Sequence, residues 1–348
     1  MTAQGEGPLV ADCSRSLAET AGKLSALRGS TVLITGGTGF VGTWLAQSVA
    51  FLNDEHGFGI TLKLMATHPE KFYQLAPHLA SRGDIRLIEQ DVRSLMEIPN
   101  DVQYIVHGAG TPDSRFHASN PIRTLETYGM GTHAVFSAAS RLPDLRNILH
   151  LSSGLVYGPQ GKDAGAINER MFSGINSSQP SSIYAEAHRV AEAISAAFRS
   201  QASLPITLAR LFTFLGPFQL LDRPWAVNNF IRDALRGGVI RIQGDGETVR
   251  SFMYGADLAS WLLNILAAGR SGVAYNVGSP EGIRLGDLAR RIAGMISPMP
   301  VVELNTLPQA GVPRTTWVPD VTLAMNEFGL SLAHSLDGAL HRTIEWNR

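Results

Sequence analysis

Residues 31–42 read TVLITGGTGFVG, an apolar run that breaks into glycines at Gly36, Gly39 and Gly42 and resumes with helical spacing through Trp44, Leu45 and Val49. No other stretch restricts the fold as strongly. A strand that ends in a Gly-rich turn and feeds a helix aims backbone N–H groups and the positive end of the helix dipole at one point, which suits a pyrophosphate. Glycine is needed there because the chain turns tightly and approaches the phosphates with no Cβ in the way. The spacing alone also fits a plain strand–turn–helix corner. The strand before it, the helix after it and Asp91 downstream favour a dinucleotide.

Strand-like runs follow at 60–67, 85–92, 104–110, 147–153 and 206–212, separated by helical stretches. This alternation predicts an α/β fold, a doubly wound parallel sheet with helices on both faces. Ligands of such sheets sit at the C-terminal strand ends, so residues 107–110, 152–153 and 211–213 are directed at the cofactor. After Gly216-Pro217 the pattern becomes irregular: a helix over 225–236, a turn at 244–246 and helices over 257–267 and 285–296 predict a smaller C-terminal α/β lobe. The expected division is an N-terminal lead-in (1–29) with a helical pattern around Leu17, Leu24 and Leu27, a dinucleotide-binding domain (30–215) to which 252–278 returns, and a substrate lobe made of 216–251 and 279–348. The Pro-rich stretch 298–319 is expected to be ordered against that lobe, since Arg314, Trp317 and Asp320 are poor linker residues.

Composition narrows the partners. The 348 residues carry 29 Lys+Arg against 30 Asp+Glu, which argues against broad nucleic-acid or membrane-surface binding. A single cysteine, Cys13, excludes an intramolecular disulfide and a cysteine-based metal cluster. His107, His117, His133 and His150 lack ligand-like spacing, so no catalytic metal is expected. With no apolar run long enough to span a bilayer and no signal-peptide pattern, a cytoplasmic protein is expected.

Ser152-Ser153 closes a predicted strand, and Tyr184 opens a helix in SSIYAEAHRVAEAISAAF. A serine hydroxyl and a phenol brought together over a nicotinamide can exchange a proton with a substrate alcohol while hydride leaves its carbon. A free phenol has a pKa of about 10, so it serves as a base only beside a positive charge. His188 stands one helical turn after Tyr184 on the same face.

These residues and several others together resemble the NAD-dependent nucleotide-sugar epimerase/dehydratase family of extended short-chain dehydrogenases/reductases, over about Thr31 to Asp320. The matching features are the loop 35–42, Asp91-Val92, the V-H-x-A segment 106–109 and the S-S-x-x-V-Y-G segment 152–158. Beyond these come the tyrosine helix, the R-x-F-x-x-x-G-P run 210–217, the G-D-G-x-x-x-R turn 244–250 and N-V-G-S at 276–279. The resemblance implies a Rossmann-type domain and a nucleotide-diphosphate sugar as substrate. It places Gly36, Gly39, Phe40, Val41 and Gly42 on the pyrophosphate, Asp91 and Val92 beside adenine, and Ala109 near the nicotinamide. Ser153, Tyr184 and His188 become the catalytic group, the last two also touching the cofactor, and Thr213, Asn229, Arg250 and Asp320 hold the substrate. It also implies a homodimer, paired through the helices at 121–141 and 184–200, whose stripes include Leu125, Val135 and Phe136, and Val190, Ile194 and Phe198.

Departures from the family pattern sharpen the expectation. The family's lysine is His188, its asparagine after the fourth strand is Tyr128, and the asparagine of its R-x-F-N run is Thr213. A mostly neutral imidazole lowers the phenol pKa less than a lysine would, so His188→Lys is expected to raise the rate or broaden its alkaline range. Leu155 stands where dehydratases carry an acid pair and decarboxylases a glutamate, and an apolar side chain cannot do proton chemistry. This leaves an epimerase working through a transient keto sugar, with a nucleotide-sugar 4-ketoreductase as the alternative. A non-redox dinucleotide-binding protein with a degenerate site is the rival from another class. NAD is the expected cofactor. NADP is the alternative, because no acid ends the second strand and Thr67, His68 and Lys71 stand where a 2′-phosphate would lie.

Overall fold

The computed structural model describes residues 6–160, 165–306 and 315–348. All six expected strands form: β1 (Thr31–Thr35), β2 (Thr61–Ala66), β3 (Ile85–Glu89), β4 (Tyr104–His107), β5 (Asn147–Ser153) and β6 (Ile206–Leu211), with β7 (Ala274–Val277) added at the edge. They make one seven-stranded sheet in the order β7-β6-β5-β4-β1-β2-β3, parallel throughout. The order changes direction between β1 and β4, where a crevice opens at the carboxyl ends. β2, β3 and β4 stop short of the apolar runs that announced them. Their tails, around Thr67, Gln90–Val92 and Gly108–Gly110, leave the ladder and become crevice wall.

Alternation along the central strands feeds two separate cores. Val32, Ile34, Val106 and Leu149 pack on the face covered by the helices Phe40–His56 and Gly255–Ala268, with Trp44, Leu45 and Trp261. Leu33, Ile105 and Ile148 face the other way, onto Val135 and Phe136. Val135 and Phe136 therefore serve the sheet rather than a dimer face, and Ile194 and Phe198 are partly buried on the same core. Ile122, Leu125, Met130 and Val190 remain exposed on those helices.

The smaller lobe is built from Ile240–Ile242 paired with Val302–Leu304, and from Val249–Ser251 held between Gly282–Arg284 and Thr316–Trp317. Helices Ala226–Leu235 and Leu285–Gly294 cover these pairs. Arg314 lies outside the described residues.

Both end segments of the described chain are packed into the molecule. The lead-in is core: helix Glu6–Leu17 and the turn Ala21–Leu27 bury Leu9, Cys13, Leu17, Leu24 and Leu27 against the Gly255–Ala268 helix. Towards the other end, helices Thr322–Phe328 and Leu336–Trp346 bury Phe328, Leu340 and Ile344, with Thr322–Phe328 packed on β7 and on the Gly255–Ala268 helix. Polar bonds fasten the two ends. Asp12 accepts from Arg342 (2.9 Å) and from the Tyr254 hydroxyl (2.7 Å), and His334 lies between Asp12 (3.5 Å) and Asp257 (3.1 Å). Burial opposes a charge on His334, but hydrogen bonds to Asp12 and Asp257 hold its pKa above the ordinary value.

Candidate active site

A cleft of about 560 Å³ runs along the carboxyl end of the sheet, from the glycine turn past the loops after β2, β3 and β4 to residues 218–225. Gly36 has φ +70°, and a Cβ on it would stand 2.6 Å from the Gly108 carbonyl oxygen. A Cβ on Gly42 would collide with the Gly37 backbone, so this glycine lets the helix pack against its own turn. Gly39 is the N-cap of Phe40–His56 and has no side chain with which to cap the first N–H groups of that helix. With Phe40 in the wall and Val41 in the first turn, the end of the helix fits a pyrophosphate.

The adenine end is more constrained than the sequence indicated. Asp91 lines the cleft, but its carboxylate already accepts from Arg93 through the backbone N–H (2.9 Å) and Nη2 (2.6 Å). That bonding holds Asp91 below the usual carboxylate range. Val92 is buried beneath the cleft, and Ala109 lines it. His68, at the end of β2, is paired with Glu70 at 3.5 Å.

The two serines of β5 point to opposite faces, as strand geometry requires. Ser152 donates to Glu192 (2.6 Å), which also holds Arg210 (2.8 Å). Arg210 donates to the Tyr157 hydroxyl (3.1 Å), and that hydroxyl donates to Asn276 (2.6 Å). Four motif residues, Ser152, Tyr157, Arg210 and Asn276, thus form a buried strut under the site. Ser153 faces the other way, takes a bond from the Leu155 N–H (3.2 Å) and is a hydrogen-bonding partner of Tyr184.

Tyr184 is enclosed by rings. It stacks on His117 (centroids 4.2 Å apart) and meets Tyr128 (5.6 Å) and His188 (4.8 Å) edge-on. Burial pushes the phenol up to about 12, against hydrogen bonds with Tyr128 and Ser153 that pull it down. His188 is 4% exposed, and neither ring nitrogen has a hydrogen-bond partner among the described residues. Burial, aided by His117 and His107, brings its pKa down to about 3, so the group in the lysine position is neutral. Tyr128 lies against it at 4.4 Å and belongs to the cleft wall, whereas His188 does not. Behind His188, burial and then His188 itself lower His150 to about 3, while burial and His150 lower His107. Among the described residues, no group of His, Cys, Asp or Glu is arranged to hold a metal ion.

The residues expected to hold the substrate are spread between the two parts of the molecule. Thr213 gives its carbonyl to the Met253 N–H (3.0 Å), and Asn229 is half-buried on the helix Ala226–Leu235. The Asp320 carboxylate accepts from the Thr322 N–H (2.9 Å). Arg250 donates to the Val249 (2.9 Å) and Thr315 (3.3 Å) carbonyls and forms no ion pair among the described residues; burial lowers its pKa. Sequence reasoning missed His117, the stacking partner of Tyr184. It also missed the segment 218–225, which closes the cleft with Arg223 bonded to Asp113 at 3.1 Å. Neither carries a local signal, because both depend on contacts between distant parts of the chain.

Residues 32–278 match the model of the NAD dependent epimerase/dehydratase family. The chain belongs to that family. A UDP-glucuronic acid decarboxylase 1 of Danio rerio is 27% identical over 315 residues, 90% of this chain and 72% of the relative. A dTDP-glucose 4,6-dehydratase of Streptomyces venezuelae, solved with NAD and TYD bound, superposes with a TM-score of 0.77 at 21% identity, over 91% of this chain and 97% of that one. A UDP-glucuronic acid 4-epimerase of Bacillus cereus, solved with UDP-glucuronic acid and NAD, gives 0.75 at 22% identity, over 91% and 98%.

Proposed function

We propose that this family member is an NAD-dependent epimerase of a nucleotide-activated sugar, working by transient oxidation of a sugar alcohol to a keto sugar. The observation that carries the reading is the meeting of Ser153 and Tyr184 at the carboxyl end of β5, with Leu155 beside them 43% exposed and without a proton to offer. NAD held by the glycine turn would supply a hydride acceptor and a positive charge next to the phenol. Tyr184 then takes the hydroxyl proton of the sugar, and Ser153 steadies that oxygen with a hydrogen bond. His188, neutral and enclosed, contributes shape rather than charge.

Arg250 has free donors and no carboxylate among the described residues, which suits the substrate's diphosphate. Asn229, Thr213 and Asp320 are assigned to the same nucleotide sugar. NAD is preferred to NADP because His68, the basic side chain in the wall beside the β2 end, is already paired with Glu70. The exposed Ile122, Leu125, Met130 and Val190 support a homodimer, and a cytoplasmic location is part of the same reading. No described helix is long and apolar enough to cross a membrane.

The likeness to the Danio rerio decarboxylase favours a second reading, decarboxylation of a nucleotide-linked uronic acid. One experiment separates the two. UDP-, dTDP-, GDP- and CDP-sugars are screened for thermal stabilisation with NAD or NADP present, and each stabilising sugar is then incubated and its products identified. An epimer of unchanged mass is expected. Loss of carbon dioxide from a uronic acid would overturn the epimerase in favour of the decarboxylase.

A further inference from the structure

Tyr128 is where the Ser153–Tyr184 pair meets the cleft. It sits on the π-helical turn Glu126–Met130, which interrupts the helical run between Pro121 and Ala139. Such turns re-aim a side chain and recur at functional positions. This one turns the phenol inward, over His188 and against the edge of Tyr184. The Tyr128 hydroxyl donates to the Thr111 carbonyl (3.2 Å) in the loop after β4, and the Tyr184 hydroxyl is its other hydrogen-bonding neighbour. The packing is close enough that a Cβ on Gly110 would collide with that hydroxyl.

We infer that Tyr128 is a positioning residue for Tyr184, its O–H turning from the Thr111 carbonyl to the Tyr184 oxygen whenever that oxygen is without its proton. The inference rests on Tyr184 acting as the base. The surroundings leave few other donors. Ser153 gives one hydrogen bond from the end of β5. His117, from the helix Ser114–Ser119, presents a ring face. His188, from the same helix as Tyr184, is neutral, and His107 and His150 stand behind it, also neutral. No Lys, Arg, Asp or Glu among the described residues bears on the acidity of Tyr184. When Tyr184 gives its proton to solvent, the phenolate keeps the Ser153 bond and gains one from Tyr128 by rotation of a single O–H. When the phenolate takes the sugar's proton, the Tyr128 O–H returns to Thr111. As the phenol regains its proton, the Ser153 O–H turns from it to the sugar oxygen.

Tyr128→Phe keeps the ring and removes the hydroxyl. A fluorinated tyrosine built in at position 184 has a more acidic phenol, and its fluorine resonance reports ionisation with or without turnover. The midpoint is expected to rise by about one pH unit in Tyr128→Phe, the value of one hydrogen bond. The acid limb of kcat should move with it, while KM for the sugar nucleotide stays within about twofold. An unmoved midpoint overturns the inference. A moved midpoint in a protein that turns over no nucleotide sugar keeps the pairing and removes the epimerase reading, whereas turnover with an unmoved midpoint does the reverse. Should Tyr128→Phe fail to fold, a fluorinated tyrosine at 128 is titrated with Tyr or Phe at 184, and equal midpoints overturn the pairing.

Discussion

The imidazole of His117 and the phenol of Tyr184 lie face to face, with centroids 4.2 Å apart and planes 29° from parallel. His117 is held in turn by Thr124 at 3.0 Å through Nδ1, so a loop after β4 fixes the plane of a side chain on the helix Ile183–Ala202. Stacked aromatic pairs contribute about 0.5–1.5 kcal/mol beyond their burial. His117→Ala is expected to lower kcat about tenfold and leave KM nearly unchanged. His117→Phe, which restores a ring, should recover most of the loss. Initial rates of the two variants on one sugar nucleotide check this.

His150 and His188 give stability a definite sign with pH. Their folded pKa values, about 3, lie below the unfolded value of about 6.5. At these two groups the unfolded chain therefore binds more protons between those limits, so their share of the stability is complete above pH 6.5 and falls as the pH drops toward 3. The slope is about 1.4 kcal/mol per pH unit for each histidine. Urea unfolding at about pH 7.5 and 5.5 measures it. His188→Leu should cost nothing at the higher pH, since neither ring nitrogen has a hydrogen-bond partner among the described residues, and should remove one histidine's share of the slope. The same pocket reverses the expectation for His188→Lys: an ammonium would enter a site without a carboxylate, and the protein should lose stability before it gains rate.

The glycines of the first turn separate fold from ligand. Gly36→Ala meets both a positive φ and the Gly108 carbonyl, and should cost more than about 1 kcal/mol of stability. Gly39→Val has an ordinary φ and a nearest neighbour at 3.3 Å, so the protein should fold and fail to bind NAD. Calorimetric titration of NAD against Gly39→Val, with thermal unfolding of both variants, decides. Full NAD affinity in Gly39→Val would remove the dinucleotide assignment.

Much of this was legible because it is local. Glycine spacing, strand alternation and the offset between Tyr184 and His188 are short-range patterns, and the six strands and the turn follow from them. What stayed hidden depends on residues far apart in the chain. His117 reads as one histidine of ten, and nothing near it announces a phenol. The irregular 216–251 stretch gave no hint that its residues 218–225 would line the cofactor side of the cleft. Burial of His188 was likewise invisible, since it follows from the inward turn of Tyr128. The packing of the two end segments was hidden for the same reason, since Asp12 finds Arg342 and Tyr254 only across the length of the chain.

Arg250→Met keeps the length of the side chain and removes the charge. The guanidinium is desolvated without an ion pair among the described residues, so folding stability should be unchanged or slightly higher. The KM for the sugar nucleotide should rise by about tenfold or more, with kcat little affected, because a charge-assisted bond to a diphosphate is worth at least about 1.4 kcal/mol. Steady-state kinetics test it, and an unchanged KM would place the diphosphate elsewhere.

The bond from Arg342 to Asp12 joins residues 330 positions apart, and this bears on how the chain is made. The helix Glu6–Leu17 leaves the ribosome well before the helix Gly255–Ala268, and until that helix has been made its apolar stripe has only part of its packing, on the helix Phe40–His56. Its charged side waits longer still, for His334 and Arg342. During translation this segment is an incompletely packed amphipathic peptide that a chaperone can hold, and the helix Leu336–Trp346 supplies the charged partner of its polar side.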